Sequence, residues 1–310
     1  MDRSKLIGHL TAFATYAIFG FNIIFCKDIA ADGNLPPILL TTLRSIGAGC
    51  LFWLCSLFMP RERVPMRDLL LMALAAIVGL FIPQITFLTA CTAATTIDTS
   101  ILSSLTPIMT MFVAALFLKE PITWKKALGV AVSFCGVIIL ILNSVSNSNG
   151  VDHTRPFGVL MLILNTFSFA FYLGIFRPLV QRYSVVTFMK WGFLVVALLS
   201  LPLSARHLAT ASYGAVPPQV WWELAYLILF ATFIAYFLLP IAQKRIRPTL
   251  ISLYGYMQPI IATVVAICIG TDAMSWQKGL AVVMVCSGVY VVNASRAAGS
   301  GNGKAPEGRR

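Results

Sequence analysis

Long apolar runs separated by short polar gaps dominate the chain. A helix needs roughly 20 apolar residues to cross a hydrocarbon core about 30 Å thick, and ten runs of about this length follow one another. They lie at Leu6–Cys26, Pro37–Phe58, Leu69–Ala90, Thr95–Leu118, Trp124–Leu142, Phe157–Phe176, Val185–Ser204, Gln219–Gln243, Leu250–Gly270 and Trp276–Ala294. The gaps between them are too short for a sizeable extramembrane domain. The pattern therefore predicts an all-α integral membrane protein with ten transmembrane helices.

Composition supports this prediction and excludes a water-soluble globule. Of the 310 residues, 58% are hydrophobic and 11% charged, against about 25% charged in ordinary soluble domains, and the mean hydropathy is +0.85. The formal net charge of +12 does not indicate nucleic-acid binding, because the basic residues lie in gaps between apolar runs rather than along one stripe. Membrane lipid, and not nucleic acid, is the predicted partner of this surface.

Basic residues are unevenly distributed between the two alternating sets of gaps. With the N-terminus placed in the cytoplasm, 17 of the 23 Lys and Arg residues fall on the cytoplasmic side and four on the other, while Arg44 and Lys190 lie within spans. Positive charge is preferentially kept on the cytoplasmic side. One missed or extra helix would move every later gap to the opposite side of the membrane and remove this bias. The bias predicts an even number of spans with both termini cytoplasmic.

The second half of the chain repeats the first. A shift of 152 residues aligns Pro107–Leu140 with the stretch that begins at Pro259, and ten of the 34 positions are identical. Each half holds five spans, an odd number, so the second half enters the membrane from the opposite side. We expect two inverted five-helix repeats, at residues 1–143 and 156–298, and a disordered cytoplasmic tail at residues 299–310. Inverted repeats are a recurring design of secondary transporters.

Several short patterns in these spans resemble the EamA family of the drug/metabolite transporter superfamily, in its bacterial type. They are Phe19-Gly20-Phe21-Asn22 followed by Lys27, then Arg44 early in the second span, Leu105-Thr106-Pro107 through Leu118-Lys119-Glu120, and Gly129 with Gly136-Val137. Phe19 departs from the usual Trp, and Gly270-Thr271-Asp272 departs from the pattern in the second half. The resemblance implies a ten-helix exporter that does not hydrolyse ATP and that handles amino acids or similar metabolites. In agreement, the chain has no G-x-x-x-x-G-K-[ST] phosphate loop.

Polar side chains inside the spans are the candidates for the solute path, because polar groups in hydrocarbon usually face the bundle interior or a water-filled cavity. These candidates are Asn22, Arg44, Gln84, Asn165, Tyr172, Lys190, Tyr236, Tyr254 and Gln258. For the amides and tyrosines, interhelical hydrogen bonding is the alternative. For the two cations, the alternative is that they extend toward the lipid head groups. Otherwise they are buried cations that pair with a carboxylate or attract an anionic group of the substrate.

Two prolines and one carboxylate are further candidates. Pro107 and Pro259 lie inside the fourth and ninth predicted spans, where each removes a backbone hydrogen bond, and each is either a static kink or a hinge of the gate. Asp98 is either a solvated helix cap or the site of proton coupling. The three histidines and seven cysteines show no metal-ligand spacing, so no metal, cofactor or catalytic site is predicted.

The predicted function is a secondary active transporter that works by alternating access and as a monomer. It exports small organic metabolites, amino acids or related compounds, across the bacterial cytoplasmic (inner) membrane. One alternative has the same fold but exports drugs or other hydrophobic compounds. An alternative from another class is a polytopic membrane enzyme or sensor. We expect that the protein is not an enzyme, because its acidic residues and histidines do not form a convergent cluster.

Overall fold

The computed structural model describes residues 3–93, 102–103, 105–119, 122–146, 156–211, 213–258, 260–261, 264–265 and 276–299. Every regular element within these ranges is a helix. The main helices are α1 (Arg3–Asp32), α2 (Pro37–Leu57), α3 (Met66–Ala93), α4 (Thr106–Leu118), α5 (Trp124–Ser146), α6 (Pro156–Ile175), α7 (Val185–Thr210), α8 (Pro218–Arg245), α9 (Pro248–Leu253) and α10 (Trp276–Gly299). A six-residue helix, Arg177–Arg182, connects α6 to α7. Single 3₁₀ turns lie at Tyr213–Ala215 and Tyr254–Tyr256.

Six of the described helices are long and apolar enough to cross a membrane. These are α1, α2, α3, α6, α7 and α8, while α4 is a shorter apolar helix and α10 contains one at Val282–Val292. Six of the ten predicted spans therefore coincide with helices that meet both criteria, and the total of ten stays a prediction. The helices extend beyond the apolar runs. For example, α1 continues to Asp32, because a helix ends where its backbone hydrogen bonds end rather than where its apolar side chains end.

Large apolar side chains cover the outer surface of the described residues. Phe58 is 85% exposed and Trp124 is 80% exposed, and Leu57, Leu116 and Trp276 are similarly open. An apolar surface of this extent is not compatible with water as the surrounding solvent. The architecture is that of an all-helical, multi-pass membrane protein.

Two of the helices contain a π-helical segment near the middle of the span. In α3 the segment is Ile77–Phe81, and in α8 it is Leu227–Ile234. A π turn changes the backbone hydrogen-bond pattern and is frequent at functional sites. Side-chain hydroxyls bond to backbone carbonyls in both segments: Ser168 of α6 donates to Val78 O at 2.5 Å, and Thr232 donates to Leu227 O at 2.7 Å.

The helices pack as four principal pairs, α1 with α8, α3 with α6, α2 with α7 and α5 with α10. The α5–α10 pair brings two backbones close together, because a Cβ added to Gly288 would lie 2.1 Å from Ser133 Oγ and 2.4 Å from Gly129 O. Ser133 Oγ also donates to Val285 O at 3.2 Å. Small residues of this kind let two helix backbones approach closely inside a membrane.

The contact between α3 and α6 depends on a second glycine. A Cβ added to Gly79, in the π segment of α3, would lie 2.1 Å from Tyr172 Cδ2 of α6. The Tyr172 side chain is fully buried there, and its hydroxyl donates to Gln243 Oε1 at 3.4 Å. Glycine at residue 79 is what allows a large aromatic ring to fill the space between these helices.

Candidate functional site

A cavity of about 110 Å³ lies among the membrane-spanning helices, mainly between α1, α2, α3, α6 and α8. A single water needs roughly 10–15 Å³, so the cavity has room for a small solute or several waters. Its lining residues are Tyr16, Phe19, Asn22, Ile23, Arg44, Pro83, Gln84, Phe87, Ser103, Thr106, Asn165, Phe169, Tyr236, Gly255 and Gln258. Both halves of the chain contribute to it.

Six of the nine polar side chains that the sequence analysis selected line this cavity. They are Asn22, Arg44, Gln84, Asn165, Tyr236 and Gln258. These residues come from six separate helical segments of the chain. The structure therefore brings them together at one place, although their part in transport stays a prediction.

Arg44 is the charged group of the cavity and is only 4% exposed. Its Nε donates to Thr232 Oγ1 at 2.9 Å, and its Nη1 donates to Cys26 Sγ at 3.7 Å. No carboxylate among the described residues lies within ion-pair distance of its guanidinium. A guanidinium carries five N–H donors and stays protonated in proteins, so a buried positive charge here has spare donor capacity.

Two further polar atoms at the cavity are buried without a hydrogen-bond partner, namely Gln84 Nε2 and the hydroxyl of Tyr16. Gln84 is 7% exposed and Tyr16 is 2% exposed. Buried polar groups in native structures are nearly always hydrogen-bonded, so an orphaned amide donor and an orphaned hydroxyl beside a cavity indicate a missing partner. Asn22 adds another amide, whose Oδ1 accepts from Cys26 Sγ at 3.6 Å.

Asn165 is held by the backbone of α3. Its Nδ2 donates to Pro83 O at 2.7 Å, and this bond fixes the orientation of the amide. With Nδ2 engaged in this way, Oδ1 is the group of Asn165 that remains as an acceptor. Asn165 is therefore both an interhelical tie and part of the cavity wall.

Aromatic rings form the apolar part of the wall. Phe19 packs edge-on against Tyr16 and Tyr236, in both cases with ring centroids 5.8 Å apart. Phe87 and Phe169 complete this surface. The cavity thus combines one cation and several amides with an aromatic lining, an arrangement typical of pockets that bind small organic molecules.

Three of the predicted path residues lie away from the cavity. Tyr172 fills the α3–α6 contact instead. Lys190 is half-buried and its Nζ lies 4.9 Å from the centroid of the Trp53 ring, a cation–π geometry. The Tyr254 hydroxyl and His9 Nδ1 form a hydrogen bond at 2.9 Å. In each case the polar group of the side chain interacts with a neighbouring side chain of the protein.

The predicted hinge and coupling residues are only partly described. Pro107 lies in the first turn of α4, which begins at Thr106. A missing N–H costs no helical hydrogen bond in a first turn, so Pro107 does not kink this helix. Pro259 and Asp98 lie outside the described residues. Among the described residues, no group of three or more His, Cys, Asp or Glu is placed to hold a metal ion.

Sequence reasoning did not select several residues of the site. Tyr16 and Phe19 precede Asn22 at spacings of three, so the helical period of α1 would have placed all three on one face. Thr232 carried no comparable signal, because its role depends on the π segment of α8.

A second polar cluster lies outside the spans, between the α2–α3 connection and the start of α7. Glu62 accepts hydrogen bonds from Ser184 N at 3.1 and 3.2 Å and from Ser184 Oγ at 2.8 Å. Partial burial raises the pKa of the Glu62 carboxyl, but hydrogen bonds from Thr187 and Ser184 and the charge of Lys244 outweigh it, so the net pKa is lowered. Tyr183 OH donates to Asp68 Oδ2 at 2.5 Å, and Lys244 Nζ donates to Tyr183 O. The cluster ties together α3, α7 and α8.

Comparisons with known proteins agree on one family. The model of the EamA-like transporter family matches residues 6–142 and again residues 156–294. The Bacillus subtilis protein named "Uncharacterized transporter YetK" is 21% identical over 296 residues, which cover 93% of this chain and 87% of that protein. The Escherichia coli K12 "Uncharacterized inner membrane transporter YedA" is 24% identical over 286 residues, covering 90% and 88%.

Two other matches bear on the activity and on the fold. The "S-adenosylmethionine uptake transporter" of Rickettsia prowazekii is 27% identical over 180 residues, covering 56% of this chain and 55% of that protein. A protein of known crystal structure superimposes with a TM-score of 0.75 at 20% identity, covering 96% of this chain and 99% of the other. At this identity the structural match shows a shared fold.

Proposed function

The chain belongs to the EamA-like transporter family, and from this membership we propose that it is a secondary active transporter that works by alternating access and exports small organic metabolites, with amino acids or related compounds as the proposed solutes. The observation that carries the proposal is the cavity enclosed by α1, α2, α3, α6 and α8, since its polar lining is built from membrane-spanning helices of both halves. A site of this kind near the middle of a bundle is where secondary transporters hold their solutes.

The proposal includes ten spans arranged as two inverted five-helix repeats. The family model matches the chain twice, once in each half. The π segment Ile77–Phe81, moved by 152 residues, falls within the π segment Leu227–Ile234. These correspondences support an internal duplication.

Contacts between equivalent residues support the inverted relation of the halves. Ser133 donates to Val285, a residue 152 positions later, and contact between equivalent positions is what a two-fold axis between α5 and α10 would produce. Gln84 and Tyr236 are also 152 positions apart, and both line the cavity. The distribution of basic residues supports the proposal that both termini are cytoplasmic. The proposal further takes the protein to be a monomer in the bacterial cytoplasmic membrane.

The test is solute counterflow with the full chain reconstituted in liposomes. Labelled amino acids and related metabolites are screened, with S-adenosylmethionine included because two relatives carry that solute in their names. We expect saturable uptake of at least one solute, and at least a tenfold loss of that uptake in Asn22→Ala. Asn34→Ala is the matched control, since its amide bonds Asp32 outside the cavity. Flux that no solute saturates, or equal loss in both variants, contradicts the proposal.

The aromatic wall favours a second candidate, the export of hydrophobic compounds. Phe19, Phe87 and Phe169 supply an apolar surface on which an aromatic solute could lie. The same counterflow assay separates the two candidates when apolar dyes are added to the panel. Competition by a dye but by no amino acid would assign the site to hydrophobic compounds.

A further inference from the structure

The cavity has an excess of hydrogen-bond donors. Arg44 uses two of its five N–H groups within the protein, and Gln84 Nε2 uses none. The Tyr16 hydroxyl is also without a partner. A ligand that satisfies these groups has to be rich in acceptor oxygens.

Charge leads to the same conclusion. Arg44 is the one ionisable side chain, tyrosines aside, among the described residues that line the cavity, and none of those lining residues is Asp or Glu. Removing an unpaired charge from water is costly, and proteins normally supply a counter-charge to a buried guanidinium. In this cavity the counter-charge is left for the solute to supply.

The guanidinium is also held in place. Its Nε is fixed by Thr232, and the hydroxyl of Thr232 is fixed in turn by Leu227 O in the π segment of α8. These bonds engage Nε and Nη1 and leave both N–H groups of Nη2. A planar guanidinium with a free edge is suited to a carboxylate, which it can bind through two parallel hydrogen bonds.

We propose that Arg44 binds the carboxylate of the transported solute, so that the cavity takes small organic carboxylates with an apolar or aromatic body and rejects the corresponding uncharged amides. Gln84 and Tyr16 supply further donors to the carboxylate, and the rings of Phe19 and Phe169 hold the apolar body. This inference rests on the proposed function and names the solute class of that same site. Zwitterionic amino acids belong to the class.

The test is binding to the purified full chain in detergent, measured as the shift in unfolding temperature at constant ionic strength. The probes are three acid and amide pairs: L-phenylalanine and L-phenylalaninamide, L-leucine and L-leucinamide, and phenylacetate and phenylacetamide. We expect at least one acid to raise the unfolding temperature and its amide to have no effect. In Arg44→Gln, loss of a charge-assisted hydrogen-bonded pair should weaken the affinity for that acid roughly 10- to 100-fold.

Two further variants exclude a merely structural explanation. Arg206→Gln removes one exposed cation outside the cavity and should bind the acid as the unmodified protein does. Arg44→Lys keeps the charge without the planar fork and should bind with intermediate affinity. Without any ligand, Arg44→Gln should unfold at the same or a higher temperature, because it removes a buried charge that has no carboxylate partner among the described residues.

The outcomes separate the inference from the proposed function. An acid that still binds to Arg44→Gln, an amide that binds as well as its acid, or no binding by any of the three acids overturns the inference. If counterflow finds a saturable solute that has no acidic group, the inference fails and the transport function stands. If a carboxylate binds through Arg44 but no solute shows counterflow, the transport function fails instead.

Discussion

The contact of α6 with α3 and the contact of α1 with α8 differ at corresponding positions. The first is filled by a large side chain, whereas the second borders the cavity. In the first, the ring of Tyr172 lies against Gly79 and leaves no space. The positions 150 and 152 residues away from this pair are Asn22 of α1 and Ala231 of α8. Asn22 borders the cavity, while Ala231 is buried in an apolar cluster.

The difference lies in the size of one side chain. A tyrosine fills the α3–α6 contact and makes it part of the core, whereas an asparagine at the related place is too short to do so and leaves room beside Arg44. One contact therefore contributes to stability and the other to the proposed solute site. Substitutions that reverse these roles are the way to test the comparison.

The largest effect is expected from Tyr172→Ala. Removing a fully buried aromatic ring should cost about 3–5 kcal/mol of unfolding free energy, measured by denaturant or thermal unfolding in detergent. Asn22→Ala should cost about 1 kcal/mol or less and act on transport instead. Tyr290→Ala is the control, because that ring is 73% exposed and should leave both properties unchanged. Equal destabilisation by Tyr172→Ala and Asn22→Ala would show that the two contacts do not differ in role.

The next effect is expected from Gly79→Ala. The new Cβ would lie 2.1 Å from the Tyr172 ring, and overpacking of this kind costs about 1–3 kcal/mol. Gly214→Ala serves as the matched control, because nothing lies within 4 Å of an added Cβ there. If the clash is the cause, Gly79→Ala should cost much less when Tyr172 is already replaced by Ala, because Tyr172 Cδ2 and Cγ, the two atoms nearest to the added Cβ, are then absent. Simple additivity of the two substitutions would exclude that cause.

A smaller effect distinguishes the two π segments. Ser168→Ala removes the hydrogen bond to Val78 O. Hydrogen bonds inside membrane proteins contribute about 0.6 kcal/mol on average and about 1.7 kcal/mol at most. The free energy of unfolding should therefore fall slightly, while solute binding is kept. Thr232→Val should instead weaken solute binding, because it releases Arg44 Nε. Ser287→Ala, which loses a bond within its own helix on an exposed face, is the control for the loss of a serine hydroxyl. Reversed effects in the two π segments would refute the distinction.

The smallest effect concerns Glu62, outside both contacts. Because its folded-state pKa is lowered, the carboxylate contributes stability above its unfolded-state pKa of roughly 4.3, and this contribution is lost as the pH falls through the folded-state pKa. Between pH 5 and pH 3, the unfolding temperature of Glu62→Gln should therefore fall less than that of the unmodified protein. The solute affinity of both proteins at neutral pH should be the same. Parallel pH profiles would show that the Ser184 hydrogen bonds do not stabilise the fold.

The sequence was sufficient for the membrane class and for most of the cavity. Apolar runs identify spans because the thickness of the bilayer sets the length of a helix, and polar residues within them converge because lipid excludes them. The sequence could not distinguish Asn22 from Tyr172, since both are polar residues at related places and only the packing shows which one fills its space. It also gave no sign of the π segments, which change the helical register before Gln84 and Tyr236, so a regular 3.6-residue period does not assign their faces.

The Gly288 contact limits how the molecule can move. Two backbones that approach this closely, with small side chains such as Ser133 between them, have little room to slide or re-pack, so α5 and α10 are expected to move as one rigid unit. In the proposed alternating-access mechanism, the helices that surround the cavity would then carry out the opening and closing. A cross-link between α5 and α10 should for this reason leave turnover intact, whereas one between α1 and α8 should stop it.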